Sequence, residues 1–285
     1  MNIMKKIVLW PNPNRDIGFR YSAAAAALCR SEGVDAVMPD TLAGMPPGNM
    51  PFRVCPLEEA LNGADCLLAL GGDGAILHLA RPAAARGIPI LGVNLGRLGF
   101  MSELEPDELP LLTAVLHGRA KRDVRMMLSL CVRRAERTVH EDLALNDAVL
   151  AGGGQSRFLS LCVRAGQQDI LTFSGDGVIV ATPTGSTAYS MAAGGPVVEP
   201  HADSLVVTPI CAHLSYAKSM VLSAERTVTL RTRSDKQAVL LVDGQAVHSL
   251  SQDDEVVIRR SDRKTTLLRV KPYNFYETLY RKLQR

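Results

Sequence analysis

A five-residue apolar run at 66–70, Cys-Leu-Leu-Ala-Leu, stops at Gly71-Gly72-Asp73-Gly74, and helix-forming residues follow over 75–86. An unbroken apolar run of this length suits a strand buried on both faces, as in a parallel sheet. Strand, glycine turn and helix in succession make half of a βαβ unit, so this segment commits the chain to a parallel sheet covered by helices. The flanks repeat the pattern. Residues 6–9 read as a strand and 16–31 as a helix with an Ala-rich interior, stopped by Gly33. A second strand follows at 34–38, then a Gly- and Pro-rich loop at 41–51. Gly87 closes the helix at 75–86, and 88–93 is the next strand.

After Lys121 helical periodicity largely disappears. Short strands are expected at 127–132, 148–150, 159–163, 177–181, 205–208, 227–232, 238–242, 255–259 and 265–270, most of them separated by Gly, Asp or Ser. Phe275, Leu279 and Leu283 then recur every four residues, one face of a terminal helix. The expected fold is an α/β, Rossmann-like N-terminal domain over 1–120 and an all-β, sandwich-like C-terminal domain over 121–272. The terminal helix, 273–285, is expected to pack back on the first domain.

With 285 residues, 47% of them apolar, such a chain can build its core without disulfides or metals. The six cysteines form no Cys-x-x-Cys pair and mostly sit in apolar runs, as reduced buried thiols do. The six histidines lack metal-ligand spacing. A net charge of +3 is too even for a nucleic-acid binder. The basic clusters at 121–125 and 259–264 are read as solvated loops. No run approaches the ~18 apolar residues of a membrane helix. The first apolar stretch ends at Pro11, short of an export signal. The expectation is a cytoplasmic protein with neither membrane nor nucleic acid as partner.

Four segments carry candidate chemistry. In the first, Gly71, Gly72 and Gly74 allow close backbone approach, and a helix starting after them aims free N–H groups at an anion. This is a phosphate cradle without the P-loop pattern. Asp73 within it either caps the helix or serves a reaction, accepting a hydroxyl proton or helping to hold Mg²⁺. The second, Asp176-Gly177 with Thr182-Pro183-Thr184-Gly185-Ser186-Thr187-Ala188-Tyr189-Ser190, gathers hydroxyls and amides beside an aromatic ring, and suits ribose and amide recognition. The third, Asn146-Asp147, reads either as a turn or as a reader of a ribose diol or base edge. The fourth, Asp243-Gly244-Gln245, has the look of a hairpin turn.

Taken together, these segments resemble the NAD kinase family from Leu67 to about Leu250. The matching motifs are Gly71–Gly74; Gly92, Asn94, Gly96, Leu98, Gly99 and Phe100; Asn146-Asp147; the long run from Asp176 to Pro196; Thr208 to Cys211; and Asp243 to Gln245. The Gly-Gly-Asp-Gly loop is shared with lipid kinases and phosphofructokinases, whereas the long run is far more specific. The resemblance implies transfer of the γ-phosphoryl group of ATP, or of polyphosphate, to the 2′-hydroxyl of the adenosine ribose of NAD. It implies an α/β domain and a β-sandwich domain with the site in the cleft. Asp73 is implied to orient the hydroxyl and take its proton late, because a free carboxylate is a weak base for a ribose hydroxyl. Gly72 and Gly74 are implied to admit phosphates. Asn146, Asp147 and Asp176 are implied to bind polar groups of NAD, with Thr187, Ala188, Tyr189, Ser190 and Ala192 lining its pocket. His78, Arg157 and Gln245 fall where the family contacts nucleotide. Mg²⁺ is expected to travel with ATP, and the assembly to be a homodimer or homotetramer with sites near the subunit interfaces, completed by residues of a neighbouring subunit.

The sequence departs from the family at Ala75 and Ala192, where a hydroxyl is usual, and at Ser174, where a basic residue is common. Ser174 puts discrimination between NAD and NADH in question. Two rival readings are a lipid or sugar kinase sharing only the glycine loop, and a catalytically weak NAD(P)-binding regulator.

Overall fold

The computed structural model describes residues 3–42, 50–135, 137–153, 158–213, 216–234 and 236–284. The chain divides into two compact units, residues 1–124 with 265–285 and residues 125–264.

In the first unit β1 (Lys6–Pro11), β2 (Asp35–Pro39), β3 (Arg53–Cys55), β4 (Cys66–Gly71) and β5 (Ile90–Asn94) run parallel in the order β5-β4-β1-β2-β3. β4 is buried at every position, which is why its sequence shows no alternation. The helices are α1 (Arg20–Ser31), α2 (Leu57–Leu61), α3 (Asp73–Arg86) and α4 (Leu112–Leu116). Ile7, Leu9, Leu68 and Leu91 pack with Ala25, Cys29, Leu112 and Val115 in one core.

Three expectations change here. α1 starts at Arg20, because Gly18 and Phe19 take positive φ, 65° and 58°. Buried Asp16 accepts the N–H groups of Tyr21 and Ser22 at 2.8 and 3.0 Å and so acts as a cap rather than as the first helical residue. α3 starts two residues earlier than its apolar pattern suggests, which places Asp73 in its first turn. The terminal helix (Phe275–Leu283) buries Phe275 only, and Leu283 is 65% exposed. Phe275 packs on Phe100 with ring centroids 6.0 Å apart, so it is the first turn of this helix that faces the core. Part of the loop expected at 41–51 lies outside the described residues.

The second unit holds β6 (Lys121–Arg134), which enters it from the first, then β7 (Arg137–Ala144), β8 (Asp147–Gly152), β9 (Leu159–Ala165), β10 (Gln168–Gly175) and β11 (Gly177–Ala181). The short helix α5 (Tyr189–Ala192) precedes β12 (Ser204–Ile210), β13 (Met220–Ser223), β14 (Val228–Thr232), β15 (Ala238–Val242) and β16 (Gln245–Leu250). β17 (Asp254–Arg269) then leads back to the first unit. One antiparallel sheet runs β13-β12-β11-β8-β15-β16; in the other, β10, β9, β14 and β17 are neighbours, and β6 pairs with β17 and β7. Leu150, Val178, Leu205 and Leu240 of the first sheet share a core with Leu130, Val163, Leu230 and Ile258 of the second. Val149, Ile179 and Val206 point the other way, where Ala193 and Val198 pack on them. Both faces of the central strands are therefore covered.

Five strands were not expected: β3, β7, β10, β13 and β16. Each has a single strand neighbour among the described residues. An edge strand keeps one ladder open to water and carries polar residues, so its apolar signal is faint; β7 reads Arg-Thr-Val-His-Glu-Asp-Leu-Ala. The basic clusters are corrected too. Residues 259–264 lie inside β17, fusing two expected strands into one, and 121–125 begin β6 with Arg125 fully buried.

Candidate functional site

The site residues form two clusters, one in each unit.

In the first unit, β4 delivers the chain through Gly71 and Gly72 into the start of α3. Gly72 has φ 156° and ψ −168°, a backbone region that essentially only glycine occupies. Asp73 then sits where the positive end of the helix dipole favours a carboxylate. Its oxygens are held from outside the helix. Oδ2 accepts the Phe100 N–H at 2.6 Å. Oδ1 accepts the Met101 N–H at 3.1 Å, the Ser102 N–H at 3.2 Å and the Ser102 hydroxyl at 3.1 Å. Gly99 makes this possible: a Cβ there would run into the Asp73 carboxylate. Oδ1 is thus saturated, whereas Oδ2 takes one donor and keeps acceptor capacity. His78, one turn further along α3, is exposed, as is Gly74.

In the second unit, Asn146 precedes β8 and Asp147 begins it. The segment is fixed by Asp243, in the turn between β15 and β16. Asp243 accepts the N–H groups of Leu145 at 2.9 Å, Asn146 at 2.7 Å and Asp147 at 3.2 Å. Asp243 and Gly244 have φ of 49° and 79°, the left-handed pair of a tight hairpin. Asn146 is only 7% exposed, and its side-chain oxygen has no hydrogen-bond partner among the described residues. A buried acceptor without a donor is costly unless a ligand supplies one. Asp147 is 4% exposed. Burial, and secondly the neighbouring Asp243 charge, push its carboxyl up to about 7. Near neutrality it can therefore be a hydrogen-bond donor as well as an acceptor.

The loop after β11 packs directly on this pair. Thr182 donates its N–H to the Asn146 carbonyl at 2.8 Å and its hydroxyl to the Leu145 carbonyl at 2.6 Å. A Cβ at Gly185 would meet Asn146 Cα at 2.7 Å, so only glycine permits this approach. Thr187 and Ala188 are half-buried, Ala192 is exposed, and Tyr189 is 47% exposed, with ring area open to a partner. Ser190 faces the other way, fully buried, with Oγ 2.8 Å from Thr208 Oγ1. Asp176 is half-buried between β10 and β11, and Gln245 is exposed at the start of β16. Arg157 lies outside the described residues.

Sequence reasoning did not single out Ser102, nor the Asp243 carboxylate as the anchor of residues 145–147. Asp243 stood in a recognised Asp-Gly turn, but its N–H partners are about a hundred residues away in the chain. Among the described residues no group of three His, Cys, Asp or Glu side chains is arranged to hold a metal ion.

Comparison with known proteins bears on both clusters. Residues 28–120 match the ATP-NAD kinase N-terminal domain, and residues 145–270 match the ATP-NAD kinase C-terminal domain. An NAD kinase of Caldanaerobacter subterraneus subsp. tengcongensis is 36% identical over 282 residues, covering 98% of this chain and 99% of that protein. The solved structure of yeast NADH kinase complexed with NADH superposes with a TM-score of 0.88 at 24% identity, covering 100% of this chain and 89% of that one. An NAD kinase from Archaeoglobus fulgidus, solved in complex with ATP, gives 0.73 at 24% identity, with 98% of each chain covered. These two solved proteins share the fold.

Proposed function

The chain belongs to the NAD kinase family, and we infer that it transfers the γ-phosphoryl group of MgATP to the 2′-hydroxyl of the adenosine ribose of NAD, giving NADP and ADP. The observation that carries this reading is the state of Asp73: fixed by four donors, at a helix N-terminus, behind a glycine turn, with acceptor capacity left on Oδ2 alone. Phosphoryl transfer asks a protein mainly for positioning and charge stabilisation. Asp73 Oδ2 accepts the 2′-hydroxyl and aims its oxygen at the γ-phosphorus. As the O–P bond forms and the bond to ADP breaks, the hydroxyl proton passes to Oδ2. Gly72, Gly74 and the first N–H groups of α3 lie against donor phosphates. The Mg²⁺ belongs to the MgATP substrate, bound largely by phosphates and water.

Asn146 and Asp147 bind polar groups of NAD. The unpartnered Asn146 oxygen takes a donor from it, and Asp147, when protonated, donates to one of its acceptors. Tyr189 stacks on a ring of NAD beside Thr187, Ala188 and Ala192, with Asp176, His78 and Gln245 as further polar contacts. Ser190 supports this segment from beneath. The strand order β3-β2-β1-β4-β5 supports the Rossmann-like description of the first unit. The same reading carries a homodimeric or homotetrameric, cytoplasmic enzyme, with light scattering as the check on assembly.

The deciding experiment incubates the purified protein with MgATP and NAD, with NADH in parallel, and detects product with an NADP-specific dehydrogenase. Product from NAD supports the reading, and product from both makes Ser174 the first selectivity position to mutate. Binding of NAD without product, with polyphosphate also tried as donor, overturns it in favour of a nucleotide-binding regulator.

A further inference from the structure

Arg269, the last residue of β17, belongs to none of the four candidate segments and is 4% exposed. Its Nη1 donates to the carbonyls of Met101 at 3.0 Å and Ser102 at 3.2 Å, and to Glu103 Oε2 at 3.2 Å. Its Nε donates to Asp123 Oδ2 at 2.9 Å. The guanidinium lies over the Tyr273 ring, with Cζ 4.4 Å from the centroid. Glu103 closes the bracket from the other side, its Oε1 accepting the N–H groups of Val270 at 2.8 Å and Lys271 at 2.7 Å. The carbonyl of Met101 and the N–H of Ser102 belong to one peptide unit. Arg269 holds the carbonyl end of that unit, and Asp73 holds the N–H end.

We propose that Arg269 is a positioning residue for the phosphoryl transfer: it fixes and polarises the 101–102 peptide, and through that peptide it holds the Asp73 carboxylate at its working geometry. The proposal rests on the catalytic reading of Asp73. A cation on the carbonyl and an anion on the N–H pull the peptide dipole the same way, and hydrogen bonds linked in this manner strengthen one another. A buried arginine whose only task was to neutralise Asp123 and Glu103 would have no need to reach two carbonyls of the one loop that grips Asp73. The fork of the guanidinium matters as much as its charge, because lysine offers a single donor centre.

The test compares wild type with Arg269→Ala and Arg269→Lys, reading kcat, the KM of each substrate, thermal stability, and hydrogen exchange at the amides of Phe100, Met101 and Ser102. In Arg269→Ala, kcat falls by about tenfold or more while both KM values stay within about twofold, as expected for an interaction that matters in the transition state. Millimolar guanidinium restores part of kcat, and urea, of the same shape without the charge, does not. The three amides exchange faster than in wild type. Arg269→Lys falls between the two and serves alone if the alanine variant does not fold. Wild-type kcat in a folded, merely less stable variant would overturn the proposal, as would equal rescue by urea or unchanged exchange at these amides. Exchange needs no turnover, so a wild-type protein that makes no NADP would sink the activity reading while the exchange arm still decides the brace.

Discussion

In the first unit the Asp73 carboxylate gathers the N–H groups of Phe100, Met101 and Ser102; in the second, Asp243 gathers those of Leu145, Asn146 and Asp147. The device is the same, one carboxylate pinning three consecutive amides from a distant part of the chain. The surroundings are opposite. Asp73 stands at the start of a 14-residue helix and is linked through a peptide to a buried guanidinium, so its charge is compensated twice. Asp243 stands in a hairpin turn beside Asp147, whose carboxyl, already raised by burial, its charge pushes up further. The same staple therefore yields a carboxylate braced on both sides in one unit and a frustrated pair in the other. Frustration of that kind is costly to an empty protein and is relieved by whatever supplies the missing proton or donor.

The largest expected effect comes from removing the first staple. Asp73→Asn puts an amide where three N–H groups need an acceptor and takes away the only oxygen with spare capacity. Turnover should fall at least a hundredfold, about 3 kcal/mol of transition-state stabilisation, while titration still shows NAD binding. Near-normal turnover would make Asp73 a structural staple like Asp243 and erase the contrast. Asp243→Asn should instead lose stability and nucleotide affinity, with kcat little changed. Urea unfolding should show a loss of about 2–3 kcal/mol, the usual scale for buried charge-assisted bonds. A kcat loss equal to that of Asp73→Asn would show that the two staples do not divide the work as described.

Asp147 sharpens the comparison through pH. Its carboxyl is raised from 3.8 to about 7 in the folded state. Between those values the folded protein holds a proton that the unfolded chain has lost, so stability falls as pH rises and the penalty is complete above about 7. Asp147→Asn removes this titration. The variant should match wild type near pH 4 and exceed it by about 4 kcal/mol near pH 8, read from urea midpoints without ligand. A constant difference across that range would show that the carboxyl is not frustrated.

What could be read from the sequence follows the same line. β4, the glycine turn and α3 were legible because local spacing alone specifies a strand, a turn and a helix. Asn146, Asp147 and the 182–190 run were legible by family resemblance. The grip of Phe100–Ser102 on Asp73, the Asp243 staple and Arg269 were not, since each joins residues 27 to 168 positions apart. No periodicity records such pairings. Edge strands such as β7 and β10 escaped for a related reason: their exposed face dilutes the apolar signal. The charged runs at 121–125 and 259–264 misled in the opposite direction, because a strand can carry Arg and Lys when alternate positions face water and Arg125 finds a buried place near Thr184 Oγ1, 3.3 Å from its Nη1.

The smallest effect isolates one bond of the first staple. Of the four donors to Asp73, three are backbone amides that no side-chain substitution removes, and the fourth is the Ser102 hydroxyl at 3.1 Å. Ser102→Ala deletes that donor, leaving Oδ1 with the two amides of Met101 and Ser102 and creating little cavity. A single hydrogen bond to a charged acceptor contributes about 1.5–3 kcal/mol, and the remaining donors share the load. We therefore expect a loss of about 0.5–1 kcal/mol in stability and a kcat reduced severalfold, with KM for NAD unchanged. If Ser102→Ala costs as much turnover as Asp73→Asn, the hydroxyl itself takes part in the chemistry, and Oδ1 rather than Oδ2 is the working oxygen. If it changes nothing, the three amides alone set the carboxylate, and the two staples are closer in design than their surroundings suggest.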